Sequence, residues 1–502
     1  MDDRTQITDQ ELASVLQNCM DPYPPDEITH SVTPFRQALN RVLIGFALCA
    51  ITLDFWNLNY LLPLVGVFLA LLGFRTLRRE NKWFRACWIL SVLRSIYCLT
   101  PIVLNATVYR SLLDLAKLKI TIALTAILLH FCFWLALRTV KEKAGMEPQA
   151  KNAAALLVWN GFLCIWALGQ FRTPLLVGIL LVVAYIFIFR SLWKLTRELD
   201  KTGYCICAAP VKLTDKALTL VLTAVLLAGI ACGYLFFHRL PMNWQAATQT
   251  ESQEVQEVKE HLISLGFPEQ IADDLTDEDL LSCKGALRVV IELTDYSIDG
   301  GYRYIELGED GMRYSEISPD QFDLRITGIG VALPNERGHW RIFHHFQWFT
   351  DPGSYGTEAF CLWPANPGAS NAWQPVGDFT GQLLYNDDGK VYTSEYYFIG
   401  RASYTATDSI FGWDTKLTTN VFVEFSLPKN GENHRGYVCY TTEPILPGGI
   451  LDSWFHYCHQ ESWFQYPVRT SKEHLMSRLL SSSAFGVFEH QLLFYPAGLT
   501  TP

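Results

Sequence analysis

Long apolar runs, separated by short polar stretches, fill the first half of the chain and limit its possible folds more than any other feature. They occur at about 42–55, 60–74, 86–104, 120–137, 153–168, 174–189 and 217–237. A helix needs roughly 20 apolar residues to cross a hydrocarbon core about 30 Å thick. Most of the runs approach this length, so the sequence predicts an all-α membrane bundle of about seven transmembrane helices.

The first two apolar runs and the segment before them differ from the rest of the series. The first two runs are the shortest, and only residues 56–59 separate them, so they fit either two short spans or one tight hairpin. Residues 1–35 are polar and lack a short apolar core followed by a small-residue cleavage site. We therefore predict a cytoplasmic N-terminal segment over 1–35 and a transmembrane domain over 36–238.

The basic residues predict the orientation of the bundle. Alternate connections between the apolar runs are rich in Lys and Arg, whereas the intervening connections contain only Arg110, Lys117, Lys119 and Arg172. Cytoplasmic loops of membrane proteins carry an excess of Lys and Arg. The N-terminus and the basic loops are therefore predicted in the cytoplasm, and an odd number of spans predicts everything after Phe237 outside it.

The two halves of the chain carry opposite net charge. Up to His238 there are 23 Lys and Arg against 15 Asp and Glu, a net charge of +8, whereas the remainder has 17 against 35, a net charge of −18. An acidic domain has no electrostatic attraction for the phosphate backbone of nucleic acids. The second half is therefore predicted to bind no nucleic acid, and the lipid bilayer is the predicted partner of the first.

A linker and a few short helices are predicted after the membrane domain. Residues 239–256 are polar, as in a solvated linker, and 257–286 alternate apolar positions with turn and capping residues. Within the second stretch, residues 265–268 together with Ala272 and Leu275 resemble the loop of ubiquitin-associated helical domains. The resemblance covers some thirty residues, and a segment predicted outside the cytoplasm does not meet ubiquitin. We interpret 257–286 as a small helical spacer.

From residue 287 onwards the hydrophobic period changes to two, which is typical of β-strands. Segments rich in aromatic and β-branched residues predict strands near 287–293, 322–327, 340–344, 391–397, 419–425 and 435–440. A helix is predicted at 471–480, before a last strand near 487–494. With Gly-containing turns between the strands, we predict a large antiparallel β-sandwich, jelly-roll-like, over 287–502.

Two ionisable residues, Arg94 and His130, fall inside apolar runs. An ionised side chain at the centre of a membrane helix costs at least about 2.5 kcal/mol, so such residues mark candidate sites. They predict a polar path through the bundle, with Asp54 as a further member. Alternatively, Arg94 pairs inside the bundle or reaches the surface, and a neutral His130 bonds to another helix.

Aromatic residues supply a second candidate site in the soluble half. The long loop over 363–373 has a tryptophan at each end, and its candidate ligand-binding residues are Trp363, Asn366, Asn371 and Trp373. Exposed tryptophans on a sheet stack on flat apolar surfaces such as sugar rings, whereas buried ones only build a core. Both alternatives are compatible with the sequence.

The third candidate site is the segment 454–461, where histidines alternate with aromatic residues. As a helix it would place His456 and His459 on one face, at a spacing that suits metal ligation. As part of an aromatic core it would bind no metal.

Function is the property that the sequence constrains least. No nucleophile elbow, zinc-protease helix or phosphate-binding loop occurs, so no cofactor and no catalytic residue are predicted, although a catalytic carboxylate pair has no fixed spacing. The first hypothesis is a multi-pass protein that presents an extracytoplasmic binding or sensing domain to an extracellular polymer or protein. The second is a membrane enzyme or transporter that uses the polar residues of the bundle.

The cysteines and the N-terminus indicate which kind of cell membrane contains the protein. The four cysteines of the soluble domain are widely spaced and demand no disulfides, and their pairing is left open: Cys283, Cys361, Cys439 and Cys458. An uncleaved chain with few disulfides favours a bacterial plasma membrane.

Overall fold

The computed structural model describes residues 34–50, 58–112, 115–168, 175–202, 204, 206, 212–247, 252–297, 305–306, 313–314, 322–334, 338–363, 372–407, 415–445, 449–462, 464–477 and 484–496. The chain divides into two compact units. The first comprises Met1–Leu104 and Ser111–Ile230, and the second comprises Asn105–Arg110 and Ala231–Pro502.

The predicted apolar runs form helices, and the first half of the described chain contains α1 (Pro34–Ala50), α2 (Leu58–Leu77), α3 (Lys82–Leu104), α4 (Leu115–Lys143), α5 (Lys151–Leu168), α6 (Leu175–Lys201) and α7 (Asp215–Phe236). Among these described helices, five are long and apolar enough to cross a membrane, namely α2, α3, α4, α6 and α7. Their apolar windows have mean hydropathies between 1.8 and 2.2. Helix α1 has 17 residues, somewhat fewer than the roughly 20 of a typical span.

Glycines allow α1 and α2 to pack closely. A Cβ atom on Gly45 would lie 2.4 Å from the carbonyl oxygen of Gly66, and a Cβ atom on Gly66 would lie 2.5 Å from that of Gly45. Further along the same contact, a Cβ atom on Gly73 would lie 2.6 Å from the carbonyl oxygen of Ala38. Small residues of this kind let the backbones of membrane helices approach each other. The two helices therefore form an antiparallel pair whose contact leaves no room for larger side chains.

Polar contacts bring several helix ends together in the first unit. Asp215, at the start of α7, lies 2.6 Å from Arg41 of α1. Glu80, which follows α2, lies 2.8 Å from Lys143 at the end of α4 and accepts a hydrogen bond of 2.6 Å from the Tyr204 hydroxyl, beyond α6. The ends of α2, α4 and α6 therefore lie at the same end of the bundle, which is its basic end.

The second unit is dominated by antiparallel strands, which are β1 (Gln245–Ala246), β2 (Arg288–Tyr296), β3 (Ile305–Glu306), β4 (Arg313–Tyr314), β5 (Leu324–Ala332), β6 (Trp340–Trp348), β7 (Glu358–Trp363), β8 (Trp373–Asp387), β9 (Lys390–Ser394), β10 (Phe398–Thr407), β11 (Thr415–Phe425), β12 (Glu432–Pro444), β13 (Leu451–Gln460) and β14 (Phe485–Phe494). A seven-stranded sheet has the order β1-β9-β8-β12-β6-β5-β2, and a five-stranded sheet has the order β10-β11-β7-β13-β14. Strands β3 and β4 form a separate pair. The large antiparallel domain predicted for the second half is therefore present, with two main sheets.

Aromatic side chains from both main sheets share one core. The ring of Phe346, on β6 of the seven-stranded sheet, lies 5.3 Å from that of Phe360 on β7 and 5.2 Å from that of Tyr457 on β13. The indole of Trp348 donates a hydrogen bond of 2.9 Å to the Tyr457 hydroxyl. These residues are almost fully buried, so the alternate aromatic positions of the strands form the hydrophobic core of this unit.

Three short helices cover another part of the seven-stranded sheet: α8 (Gln253–Ser264), α9 (Glu269–Ala272) and α10 (Asp277–Leu281). The side chains of Ser252 and Thr276 cap α8 and α10 by accepting hydrogen bonds from backbone N–H groups. Phe267, in the turn between α8 and α9, packs edge to face on Phe343 of β6 at 5.7 Å. The predicted helical segment 257–286 thus packs against the sheet and shares a hydrophobic cluster with it.

Asp279 of α10 attaches this helical segment to the sheet through a buried polar network. Its carboxylate lies 2.8 Å from the Arg341 guanidinium and accepts hydrogen bonds of 2.6 Å from the hydroxyls of Thr380 and Tyr437. Burial would raise the pKa of Asp279, but these hydrogen bonds and the charge of Arg341 outweigh it and lower the pKa. The carboxylate is therefore ionised and paired at neutral pH.

A second buried aspartate, Asp274, makes a similar connection. It accepts a hydrogen bond of 2.8 Å from Arg435 Nε on β12, and one of its oxygens lies 2.9 Å from His345 Nε2 on β6. The aspartate and both of its partners are buried. Two carboxylates of the helical segment thus hold three cationic or imidazole groups of the sheet.

The second unit also includes the short stretch Asn105–Arg110, which follows α3. The amide of Val108 donates a hydrogen bond of 2.9 Å to the carbonyl of Phe237, just beyond α7, and the amide of Val468 donates one of 2.6 Å to the carbonyl of Asn105. The stretch Asn105–Arg110 therefore contacts both the end of α7 and Val468 within the second unit.

Candidate functional site

A cavity of about 180 Å³ lies among five helices of the first unit. Helices α1, α3, α4, α5 and α6 contribute its lining, which consists of Phe46, Cys49, Ala50, Arg94, His130, Leu156, Trp159, Asn160, Leu163 and Tyr185. The volume is smaller than the 300–1,000 Å³ that is typical of sites for drug-sized ligands. The cavity therefore suits a small molecule or ion rather than a polymer.

Arg94 and His130, the two intramembrane polar residues predicted as a candidate site, both line this cavity. No carboxylate of the described chain lies within ion-pairing distance of Arg94, so in this part of the structure its charge is not matched by an acidic side chain. Asp54, predicted as a further member, lies outside the described residues. The structure thus places a cation and an imidazole on one cavity but does not describe the third residue.

His130 is oriented by its own helix. Its Nδ1 lies 2.8 Å from the carbonyl oxygen of Ala126, one turn earlier in α4, and its ring lies 4.6 Å from the ring of Phe46. Because a carbonyl only accepts hydrogen bonds, Nδ1 carries the proton of the neutral ring and Nε2 is the acceptor. The imidazole therefore offers a hydrogen-bond acceptor while it is neutral, and a second donor if it becomes protonated.

An aromatic wall closes the cavity on the side of α5 and α6. Trp159 and Tyr185 stack with ring centroids 4.3 Å apart. The Tyr185 hydroxyl donates to the carbonyl of Phe46 at 3.0 Å, and the Trp159 indole donates to the carbonyl of Leu181 at 3.2 Å. Since both polar tips are engaged by backbone carbonyls, the rings are fixed and present apolar surface.

Asn160 is the remaining polar residue of the lining. Its Oδ1 lies 3.6 Å from the Cys164 sulfur, one turn later in α5. The amide can donate and accept hydrogen bonds, and neither it nor its neighbours in the lining is a carboxylate. A cation, an amide and an imidazole beside a rigid aromatic wall form an environment suited to a small anion with an apolar part.

Sequence reasoning missed Asn160, Trp159 and Tyr185. An asparagine in an apolar run is a signal comparable to a histidine and could have been included with Arg94 and His130. The two aromatic residues carry no such signal, because aromatic side chains are common in membrane helices.

The structure describes only part of the loop 363–373, which the sequence predicts as a ligand-binding site in the second, β-rich unit. Residues 364–371, which include Asn366 and Asn371, lie outside the described residues, and for Trp363 the structure describes the strand β7 but not the side chain. Trp373 is buried, and its indole donates a hydrogen bond of 3.0 Å to the carbonyl of Gly449. Trp373 is therefore part of a core and does not provide an exposed stacking surface.

The segment predicted as a possible metal-binding helix is a strand, β13. Residues three apart on a strand point to opposite faces, so His456 and His459 do not converge. His456 lies 3.7 Å from Glu489, whereas His459 Nδ1 lies 2.9 Å from the buried carboxylate of Glu358. Across the part of the chain that the structure describes, no group of three His, Cys, Asp or Glu side chains could hold a metal ion.

Glu358 raises the pKa of His459. Burial would lower the pKa of His459, but the charge of Glu358 and the hydrogen bond between them outweigh it and raise this pKa. Both side chains are almost fully buried, so the pair lies out of reach of a ligand.

The four cysteines of the predicted soluble domain form no disulfide with one another in the described structure. Cys283, Cys361, Cys439 and Cys458 are all buried. Burial raises the pKa of Cys283 to about 11, which favours the neutral thiol. These residues are therefore unreactive parts of the core.

Comparison with known proteins gives no relative: no family model matches the chain, and no curated protein or solved structure matches it either.

Proposed function

We propose that this is a multi-pass membrane protein that binds a small carboxylate-bearing molecule in the cavity of its helical bundle. The observation that carries the proposal is the convergence of Arg94, His130 and Asn160 on one cavity, where no acidic side chain of the described residues pairs with Arg94. A guanidinium binds a carboxylate through two parallel hydrogen bonds, and its desolvation cost is offset when the ligand supplies the opposite charge. The wall formed by Trp159 and Tyr185 would contact the apolar part of the ligand.

The proposal includes seven membrane-spanning helices. These are the five that are long and apolar enough to cross a membrane, together with α1 and α5. The residues that follow α3 and α7 lie together, as the hydrogen bond between Val108 and Phe237 indicates. The chain between these two ends must then cross the membrane an even number of times. Helices α4, α6 and α7 supply three crossings, so α5 supplies the fourth. The contacts of Glu80 with Lys143 and Tyr204 support the same pairing of α5 with α6.

The orientation proposed from the basic loops places the N-terminus in the cytoplasm and the β-rich unit outside it, in the plasma membrane of a bacterium. We propose that its two main sheets form a β-sandwich, supported by the aromatic core that they share, with the jelly-roll-like connectivity predicted from the sequence. Protease treatment of intact cells, with an epitope after Pro502, is expected to remove the epitope while a cytoplasmic control protein survives. Protection of the epitope under the same conditions would contradict this orientation.

The β-rich unit retains its own proposed role as a binding or sensing domain for an extracellular polymer or protein. That proposal has less support, since Trp340, Trp348 and Trp373 are buried and do not form an exposed aromatic groove. The bundle cavity is the better-supported ligand site.

Thermal unfolding of the detergent-solubilised protein tests the bundle site. The probes are acetate and benzoate, with acetamide and benzamide as uncharged counterparts of the same shape. A ligand at 100 times its Kd stabilises the folded state by about 2.7 kcal/mol, so a bound anion raises the Tm and its amide counterpart does not. We expect benzoate to act at lower concentration than acetate because it also contacts the aromatic wall.

Two variants make this test specific. Arg94→Gln removes the cation from the cavity and is expected to abolish the shift in Tm, whereas Arg79→Gln removes an exposed cation from the same bundle and is expected to preserve it. Equal shifts in wild type and Arg94→Gln would refute the site, as would equal effects of the anions and their amides.

A further inference from the structure

A second cavity, of about 390 Å³, lies at the basic end of the bundle, separate from the site around Arg94. It is formed by the last turns of α4, residues 148–150 of the connection and the first turn of α5. The residues that define its chemistry are Trp134, Arg138 and Lys151. It is about twice as large as the first cavity and shares no residue with it.

The charge of this cavity is positive. Arg138 and Lys151 are exposed, and neither has a carboxylate within ion-pairing distance in the described part of the chain. Glu147, next to the cavity in sequence, is exposed and does not line it. The first peptide N–H groups of α5, at Lys151 and Asn152, have no partner within their helix and add a partial positive charge beside the two cations.

The position of the cavity along the helices fixes its depth in a membrane. Arg138 directly follows the apolar run 120–137, and Lys151 comes just before the run 153–168. The Asn152 side chain donates a hydrogen bond of 3.1 Å to the carbonyl of Ser191 in α6, next to Arg190, so a further basic residue lies at a similar level. Trp134 has the amphipathic ring that concentrates where hydrocarbon meets the headgroups. The cavity therefore lies at the headgroup layer of the surrounding bilayer.

We propose that this cavity binds the phosphate of an anionic phospholipid headgroup. Arg138 and Lys151 would contact the phosphate, and Trp134 would pack against the glycerol and the start of an acyl chain. Basic pockets between membrane helices are suited to anionic headgroups, because two cations at low depth offset the charge of the lipid without the cost of full burial. A bilayer lipid is the favoured source of the phosphate because the cavity opens where such headgroups are concentrated.

Native mass spectrometry of the full-length, delipidated protein tests this inference with phosphatidylglycerol and phosphatidylcholine as probes. We expect wild type to bind phosphatidylglycerol more tightly than phosphatidylcholine. Since a cation near an anionic membrane surface contributes about fivefold in affinity, Arg138→Gln and Lys151→Gln are each expected to weaken phosphatidylglycerol binding by about that factor. Arg79→Gln, which removes an exposed cation outside the cavity, is the matched control and is expected to retain wild-type affinity.

The outcomes separate the cavity from general surface charge and the lipid from free phosphate. Equal weakening by Arg138→Gln and Arg79→Gln would overturn the proposal, because the whole basic surface would then be responsible. Millimolar inorganic phosphate is expected not to displace phosphatidylglycerol. If it does so in wild type and fails in Arg138→Gln, the cavity binds soluble phosphate and the lipid proposal is wrong. None of these results depends on ligand binding near Arg94.

Discussion

The two units of the molecule differ in whether the protein itself supplies a partner for each ionisable group in its interior. In the β-rich unit, Asp279 is paired with Arg341 and with two hydroxyl groups, and Asp274 is paired with Arg435 and His345. In the helical bundle, Arg94 lines a cavity, and no carboxylate of the described residues pairs with it. A buried charge is tolerated only where something compensates it.

This difference distinguishes ionisable residues that stabilise the fold from those that are candidates for ligand binding. Where the protein supplies both partners, as at Asp279, the network joins the helical segment to the sheet and leaves nothing for a ligand to bind. Where it supplies one partner beside an open volume, as at Arg94, a ligand can complete the pair. Burial and pairing together therefore decide which ionisable residues are candidates for binding, and burial alone does not.

The largest effect is expected when the paired network is broken. Asp279→Ala leaves Arg341 buried without its carboxylate, and breaking a buried pair in this way costs about 3–5 kcal/mol of stability. Chemical unfolding followed by tryptophan fluorescence measures the change. Asp273→Ala is the matched control, since Asp273 is in the same segment but its ion pair with Lys259 is partly exposed and contributes about 1 kcal/mol or less.

If the two aspartate variants lose equal stability, the network does not hold the helical segment to the sheet. The comparison between paired and unpaired groups would then fail in the β-rich unit.

Removing the cation of the bundle is expected to cause no loss of stability. In the absence of ligand, Arg94→Gln removes a charge that costs about 2.5 kcal/mol near the centre of a membrane helix, so the variant is expected to unfold at the same temperature as wild type or a higher one. Thermal unfolding in detergent without added anions measures this. A loss of stability as large as that of Asp279→Ala would show that Arg94 is a structural group and would remove the basis of the proposed site.

The regular part of the fold follows from the sequence because periodicity is a local property. Apolar runs predicted the helices, and period-two alternation predicted strands such as β6 and β11 close to their observed positions. The positions of Arg94 and His130 along the chain, in contrast, do not specify that both residues line one cavity. Their convergence depends on how α3 and α4 are rotated about their axes, and packing across several helices determines that rotation.

Segment 454–461 shows why local patterns fail at other points. Read alone, its mixture of histidine and aromatic residues fits a helix with two histidines on one face. In the structure it is held as a strand by pairing with β7 on one side and β14 on the other. Those partners are about 90 and 30 residues away in the chain, so no local signal contains them. In the strand, Ser453, Phe455 and Tyr457 are buried and alternate with half-buried residues.

The smallest expected effect concerns His344, a buried residue of the β-rich unit that has no acidic partner among its described contacts. Its Nε2 lies 2.7 Å from the Ser453 hydroxyl, and burial, together with the neighbouring His490, holds the pKa of His344 well below its usual value of 6.5. Below pH 6.5 the unfolded chain binds a proton here that the folded chain does not, so stability falls as the pH decreases, by at most about 1.4 kcal/mol per pH unit. His344→Gln is expected to make the free energy of unfolding depend less steeply on pH below 6.5. Any stability lost through poorer packing of the glutamine is the same above and below that pH. If this dependence on pH is unchanged in the variant, a partner must stabilise the charged form of His344, as Glu358 does for His459. His344 would then be another paired group of the β-rich unit.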